Sequence, residues 1–176
     1  MIGKVYSAAV TGIYAVPVEV QADVAPGIPY FELTGNLAGT TKEAKERVRI
    51  AIKNSKFQIN PSKITINMIP ANIRKEGTSY DLAVAVAVLT AVGVIAAKKV
   101  SGALFIGELG LDGGICNVSS ILPMTLCARD NGFTICYVPM GNVGEASLVT
   151  GIRVIGISSL RECVDYINNG CNCRAH

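Results

Sequence analysis

The stretch that decides the fold is Arg74-Lys75-Glu76-Gly77-Thr78-Ser79-Tyr80-Asp81, which runs directly into the apolar segment Leu82–Ala97. It places a serine, after a charged turn with a glycine, at the start of a long buried segment. Peptidases and acyl-transfer enzymes place nucleophiles in such settings, because a helix N-terminus offers unpaired N–H groups to a developing oxyanion. The same layout suits a plain helix start, with Thr78 and Asp81 as the two ends of a capping box. Ser79 is therefore interpreted in two ways, as a nucleophile or as part of a helix start.

Length and composition are those of one ordinary domain with a substantial core. The chain has 176 residues, of which 50% are hydrophobic and 16% are charged. Its net charge of +3 is too small to indicate nucleic-acid binding unless the charges cluster. No charged-then-apolar leader occurs in Met1–Gly12, and the apolar segment is shorter than the ~20 residues that a membrane span needs. We therefore expect a cytoplasmic protein without membrane contact.

The cysteines do not show the spacing of a disulfide framework or of a metal site. Four of the six lie in apolar segments, where free cysteine behaves as a small hydrophobic residue, so we expect reduced thiols. Cys171, Cys173 and His176 offer three ligands, whereas a structural zinc site wants four. We expect no metal and an unstructured tail at 170–176.

Hydrophobic periodicity predicts an α/β fold with a mixed sheet. The predicted strands are Lys4–Val10, Tyr14–Val24, Tyr30–Leu33, Lys63–Ile69, Ala103–Glu108, Thr134–Val138 and Val154–Ile157. The predicted helices are Lys42–Ser55 with Thr41 as its N-cap, Leu82–Ala97 with Thr78 as its cap, Leu122–Asn131, Val143–Val149 and Leu160–Asn168. Asp112-Gly113 predicts a hairpin turn over Leu111–Gly114.

Several separated motifs keep the order and spacing of one protein family. They are Gly12-Ile13 with Val16–Val20, Lys42–Ser55, Ile64–Asn67 with Pro70-Ala71, Arg74–Gly77, Phe105–Gly113 and Leu122-Pro123. Over residues 1–169 the chain resembles the N-terminal domain of the magnesium-chelatase-like AAA+ ATPases of the ComM and YifB type. The resemblance implies a two-layer α/β sandwich with a mixed sheet, like ribosomal protein S5 domain 2 and the Lon proteolytic domain. For the parent protein it implies DNA processing and assembly into a hexameric ring.

Two departures from the family bear on function. Family members carry an ATPase motor after this domain, whereas this chain has no Gly-x-x-x-x-Gly-Lys-[Ser/Thr] motif to cradle nucleotide phosphates. We therefore expect no cofactor here, with ATP and Mg²⁺ only in a motor domain toward which residues 170–176 would be a linker. The chain is interpreted as a piece of a longer protein, with a free-standing relative as the alternative. At Leu37-Ala38-Gly39 the chain departs from the Leu-Pro-Asp turn that family members usually have.

The resemblance also bears on Ser79. Lon-type peptidases use a serine in a Lys-Asp-Gly-x-Ser segment, which Lys75–Ser79 imitates, and a lysine that takes the serine's proton. The position that matches this lysine holds Leu122, and no lysine occurs after Lys99. Lys75 is the alternative base for Ser79, but it is expected to point at solvent. The sequence thus favours a vestigial Ser79 in a non-catalytic domain, with a Lon-like serine peptidase acting through Ser79 as the alternative.

A row of cations follows the first predicted helix, on which Glu43 and Arg47 form an i,i+4 pair. We define the cation row by five residues on one side of that helix, which are Lys42, Lys45, Arg49, Lys53 and Lys56. Such a row can follow a phosphate backbone, and Arg74 and Lys75 extend it if the two segments adjoin. The alternative is the solvated face of an amphipathic helix, and a third possibility is a module that binds proteins through its sheet. The chain has no Trp, so base stacking on single strands has weak support.

Overall fold

A computed structural model describes residues 2–170 and confirms the mixed α/β class. Its strands are β1 (Ile2–Thr11), β2 (Tyr14–Pro26), β3 (Tyr30–Thr34), β4 (Ser62–Ile69), β5 (Ala103–Phe105), β6 (Glu108–Leu109), β7 (Ile115–Cys116), β8 (Ile135–Pro139) and β9 (Arg153–Ile157). Its helices are α1 (Gly39–Lys42), α2 (Ala44–Asn54), α3 (Asp81–Ala91), α4 (Ile121–Asp130), α5 (Val143–Ala146) and α6 (Leu160–Asn169). The finer likeness to ribosomal protein S5 domain 2 and the domain boundary at residue 169 stay predictions.

One large mixed sheet organises the molecule, with its strands in the order β3-β4-β2-β1-β5-β8-β9. Strand β2 runs antiparallel to β1 and to β4. The pairs β1–β5, β5–β8, β8–β9 and β3–β4 are parallel. Strand β1 therefore joins an antiparallel half, built from the β1–β2 hairpin and β4, to a parallel half built from the later strands.

Helices pack on both faces of this sheet. Along β1, Val5 and Ala9 contribute to the larger core with α2, α3 and α6, whereas Ala8 contributes to a second core with α4 and α5. Helix α3 is buried on every side, as expected for a central helix with almost no polar face. Its backbone lies so close to β1 that a Cβ on Gly3 would overlap the carbonyl oxygen of Ala87.

Four predicted helix boundaries are wrong because backbone geometry and tertiary contacts override the local signals, and one of them is the end of α5, which lies at Ala146 and not at Val149. Helix α3 ends at Ala91 instead of Ala97, since Gly93 turns the chain with φ of +86°. Its N-cap is Tyr80, with no side-chain cap, so Thr78 is not the cap. The first helix begins at Gly39 and is interrupted at Glu43, between α1 and α2. The predicted cap Thr41 lies inside α1, where its buried hydroxyl is 2.9 Å from the carbonyl oxygen of Gly77.

The predicted hairpin at Leu111–Gly114 is confirmed, although its strands differ from the prediction. The strand expected at Ala103–Glu108 ends at Phe105, and Glu108 instead starts β6. Strand β6 pairs with β7 through Glu108–Cys116 and Leu109–Ile115, and the turn between them contains Gly113 with φ of +87°. The sequence pattern therefore predicted the turn but not the interruption of the strand between Phe105 and Glu108.

The cysteines within residues 2–170 are free, as predicted. Cys116 is exposed, whereas Cys127, Cys136 and Cys163 are buried. The zinc possibility at Cys171, Cys173 and His176 lies outside the described residues. Across residues 2–170 no cluster of potential metal ligands occurs. None of the helices in this range is long and apolar enough to span a membrane.

Candidate functional site

The turn that carries Ser79 is hydrogen-bonded to the segment between β5 and β6 and to the first residue of β6. The N–H of Gly107 donates to the carbonyl oxygen of Ser79, and the N–H of Leu82 donates to the carbonyl oxygen of Gly107, both at 3.0 Å. The Thr78 hydroxyl donates to Glu108 at 2.8 Å. Ser79 is half-buried and lies two residues before α3 begins at Asp81. These contacts hold the backbone of the turn in place.

Asp81 is part of a buried ion pair and not the far end of a capping box. Its carboxylate accepts from Arg47 Nε at 2.7 Å and Arg47 Nη2 at 3.1 Å, and from the N–H of Leu109 at 3.1 Å. Burial raises the pKa of Asp81, and the bonds from Arg47 and Leu109 partly offset that rise. The hydrogen bond to Asp81 raises the pKa of Arg47. Asp81 therefore joins α2, α3 and β6.

Lys75 is buried, so the expectation that it points at solvent is wrong. Its side chain has no exposed surface, and its ammonium donates to the carbonyl oxygens of Gly35 at 2.5 Å, Met68 at 3.2 Å, and Pro70. Burial lowers the pKa of this ammonium. An ammonium surrounded by backbone carbonyls at the end of β4 and after β3 is not available to a DNA phosphate. Lys75 therefore lies outside any surface that contacts nucleic acid in this conformation.

The residue that the sequence resemblance aligns with the peptidase lysine, Leu122, lies at the start of α4. Leu122 is the second residue of that helix and is half-buried. Its side chain carries no titratable group, so it cannot take a proton from a hydroxyl. The residue before the helix, Ser120, adopts a left-handed conformation with φ of +61°.

All five residues of the cation row are exposed. Lys45, Arg49 and Lys53 follow one another at four-residue intervals on α2, which separates them by about 6 Å along the axis. Lys42 ends α1, and Lys56 follows α2 in a left-handed conformation with φ of +67°. Arg49 pairs with Glu46 at 2.9 Å, and both side chains are exposed, so this pair binds weakly and leaves Arg49 able to exchange partners.

The structure brings the loop of Arg74 to the start of the cation row. The N–H of Ala38 donates to the carbonyl oxygen of Lys75 at 2.9 Å, and the N–H of Lys75 donates to that of Asn36 at 3.0 Å. This loop therefore runs beside the beginning of α1, as the extended row requires. Arg74 is exposed and pairs with Glu76 at 3.3 Å. Of the two loop cations, Arg74 can extend the row and Lys75 cannot.

The sequence did not predict two buried polar contacts of this region, the Arg47–Asp81 ion pair and the hydrogen bonds of Lys75. Arg47 was expected to pair with Glu43, which it does at 3.6 Å, but its stronger partner Asp81 lies 34 positions along the chain. No local pattern indicates a contact of that separation. Lys75 lies between Arg74 and Glu76, and a run of charges normally indicates solvent.

The comparisons with known proteins identify the family. A sequence model described as subunit ChlI of Mg-chelatase matches residues 20–142. The chain belongs to this family. The match includes the cation row, the Ser79 turn and Leu122 in one continuous segment, so these features lie within the ChlI family region and not in an appended one.

Named relatives of this ChlI family member come from several bacteria. The chain is 33% identical to competence protein ComM of Haemophilus influenzae over 93% of its length, and 36% identical to the uncharacterized protein YifB of Escherichia coli over 84%. It is 26% identical to DNA repair protein RadA of Listeria monocytogenes over 92%. These matches cover 32%, 29% and 35% of the three relatives. The chain thus spans about a third of the length of the curated relatives it matches.

Proposed function

We propose that this chain is a non-catalytic domain of a magnesium-chelatase-like AAA+ ATPase, and that it contacts DNA through the cation row. The observation that carries the proposal is that all five cations are exposed, with Lys42 at the end of α1, three on α2 at four-residue intervals, and Lys56 directly after α2. Electrostatic binding to a phosphate backbone needs little more than cationic side chains on a fixed track. Arg74 adds a charge at the start of this track.

The relatives support a setting in DNA metabolism. RadA of Listeria monocytogenes is a DNA repair protein and ComM of Haemophilus influenzae is a competence protein. Since the chain covers about a third of each, we assign the motor activity, with its ATP and Mg²⁺, to a further domain of the parent protein. Assembly into a hexameric ring would likewise belong to the parent. A cytoplasmic location is part of the proposal, and the free cysteines within residues 2–170 suit a reducing compartment.

The surroundings of Ser79 support a non-catalytic role. A serine hydroxyl needs a base to become a nucleophile, but Lys75 donates to backbone carbonyl oxygens and Leu122 is apolar. Asp81 is paired with Arg47. The turn then serves to start α3 and to attach it to β6.

The test is a titration of the 176-residue chain with fluorescent duplex DNA at two salt concentrations. Lys45→Glu with Arg49→Glu should weaken binding and flatten the dependence of affinity on salt, because fewer counterions are released. Lys98→Glu with Lys99→Glu is the matched control, since both residues are exposed and lie in the short helical turn after α3. This control changes the net charge of the chain by the same amount as the first double variant. A difference in DNA affinity between the two is therefore due to the position of the charges and not to the net charge. Equal loss in both double variants, or none in the first, would contradict the proposal.

A further inference from the structure

A cavity lies where the cation row ends. It is open to solvent and is bordered by the C-terminal end of α2, the turn between β6 and β7, and the start of α6, with a volume of about 400 Å³. Lys56, the last member of the row, lines it together with Arg161 and Ser159. Pockets that bind small ligands have volumes of about 300–1,000 Å³, so this cavity is large enough for a phosphate group and its neighbouring atoms.

Hydrogen bonds and close packing hold the three walls of the cavity together. The N–H of Leu160, the first residue of α6, donates to the carbonyl oxygen of Gly113 at 2.8 Å. The Asn54 side chain at the end of α2 donates to the carbonyl oxygen of Leu111 at 2.7 Å. Gly113 packs against Ser55 so closely that a Cβ there would overlap the serine hydroxyl. The cavity is therefore part of the fold.

Arg161 is oriented by an aromatic ring. Its guanidinium carbon lies 4.9 Å from the centroid of the Phe57 ring, an arrangement in which the ring stabilises the cation. A stacked guanidinium still presents N–H groups at its edge, and these match two oxygens of a phosphate. Ser159 adds a hydroxyl whose oxygen accepts from the N–H of Glu162 at 3.1 Å, so that its proton is free to donate.

Three carboxylates near the cavity oppose an anion, and that of Glu162 accepts from the N–H of Ser158 at 3.1 Å. Asp112 lines it, but one of its oxygens accepts from the N–H of Gly114 at 2.8 Å, which keeps that oxygen within the turn. Asp165 lies 3.5 Å from Arg161, and both side chains are 54% exposed, so this is a weak surface pair. The two cations therefore outnumber the single carboxylate that lines the cavity.

We infer that this cavity binds one phosphate group of the DNA backbone that follows the cation row, with Arg161 and Lys56 as its cations. The inference rests on the proposed function and adds Arg161, which lies outside the matched residues 20–142. It places one end of the DNA contact at the junction of α2 and α6. The row then supplies charge along the strand, while Arg161 fixes the register at its end.

The test compares single substitutions in the DNA titration. Arg161→Gln should lower the affinity several-fold and make the plot of log affinity against log salt shallower by about 0.9, the value for one lost phosphate contact. Asp112→Asn keeps the oxygen that accepts from Gly114 and removes the opposing charge, so it should raise the affinity. Arg161→Lys should keep most of the salt dependence. Arg129→Gln is the matched control, because Arg129 lies on α4, which packs on the opposite face of the sheet from α2.

A local measurement makes the outcomes distinct. In nuclear magnetic resonance spectra of the wild-type chain, DNA should shift the amide signals of Gly113 and Ser159. If Arg161→Gln binds DNA as Arg129→Gln does while the Lys45–Arg49 double variant binds weakly, the inference is overturned and the proposed function stands. If inorganic phosphate alone shifts these amides while DNA does not, the cavity takes free phosphate and the inference is again overturned. If no variant weakens binding, the proposed function itself fails.

Discussion

Arg47 on α2 and Asp81 at the start of α3 form a two-point ion pair, with Nε–Oδ2 and Nη2–Oδ1 distances of 2.7 and 3.1 Å. The carboxylate side chain is only 1% exposed. Removal of one partner would leave a buried charge without compensation, which is costly in a low-dielectric interior. The pair thus holds the central helix against the helix that carries the cation row.

We predict that Arg47→Met lowers the free energy of unfolding by about 3 kcal/mol, as expected when one partner of a buried ion pair is lost. Urea denaturation followed by circular dichroism measures this change. Arg49→Met is the matched control on the same helix, because its pair with Glu46 is exposed, and it should change stability by less than about 0.5 kcal/mol. Arg47→Met with Asp81→Leu should cost less than the sum of the two single substitutions. Strict additivity would show that the pair contributes nothing.

The fold class was predictable from sequence because periodic patterns record which side of an element is buried. In β2, Val16, Val18 and Val20 alternate, and Val18 and Val20 are fully buried. The parallel pairing of β1 with β5 was not predictable, since Tyr6 and Leu104 pair across a long separation along the chain. The order of strands depends on such distant contacts.

Lys75 shows why part of the candidate site escaped prediction. A lysine between an arginine and a glutamate normally lies in solvent, and Arg74 and Glu76 do. The side chain of Lys75 instead reaches the carbonyl oxygens of Gly35, Met68 and Pro70. That environment exists only once β3 and β4 are paired. The exposure of the cations on α2 could be predicted from helical spacing alone, since the exposed face of a helix follows from its local sequence pattern.

The buried ammonium of Lys75 leads to a prediction about pH. Burial lowers its pKa in the folded chain below the ordinary value of 10.5. As pH rises toward that value, the unfolded chain still holds a proton that the folded chain has released, so stability increases with pH in this window. The difference in free energy of unfolding between wild type and Lys75→Met should therefore grow from neutral pH to pH 10.5. A difference that is constant or shrinks would contradict the prediction.

The same substitution tests the structural role of Lys75 at neutral pH. Lys75→Met should destabilise the chain by about 2 kcal/mol or more, because buried carbonyl oxygens lose their donor. The exposed Lys98→Met is its control and should change stability by less than about 0.5 kcal/mol. Equal effects of the two substitutions would mean that the carbonyl contacts of Lys75 add little.

Replacement of glycine by alanine should change stability differently at a closely packed position and at an open one. Gly3→Ala should lower the free energy of unfolding by about 2–3 kcal/mol, since its Cβ meets the backbone of Ala87 and backbone cannot yield as a side chain does. Gly144→Ala is the control, because a Cβ there meets open space within α5. It should leave stability unchanged or raise it by up to about 1 kcal/mol, the difference in helix propensity. Thermal or urea denaturation of both variants decides.

Cysteine reactivity should follow burial and pKa. Burial raises the pKa of Cys127 to about 11 and that of Cys136 to about 12, and the thiolate is the reactive form. N-ethylmaleimide at pH 7 should therefore label the exposed Cys116 in the folded chain, and label Cys127, Cys136 and Cys163 only after unfolding. Peptide mass spectrometry locates the adducts. Early labelling of Cys136 would indicate local opening around β8.

The hydroxyl of Ser79 should not react with fluorophosphonate probes. Reaction needs a base that takes the serine proton. The amine of Lys75 donates to backbone carbonyl oxygens, and Leu122, which the sequence resemblance aligns with the peptidase lysine, is apolar. Peptide mass spectrometry after probe treatment should show no probe adduct on the peptide that carries residue 79 in either wild type or Ser79→Ala, and neither should cleave unfolded casein. An adduct on the Ser79 peptide that Ser79→Ala removes would restore the peptidase interpretation and show that another group activates this serine.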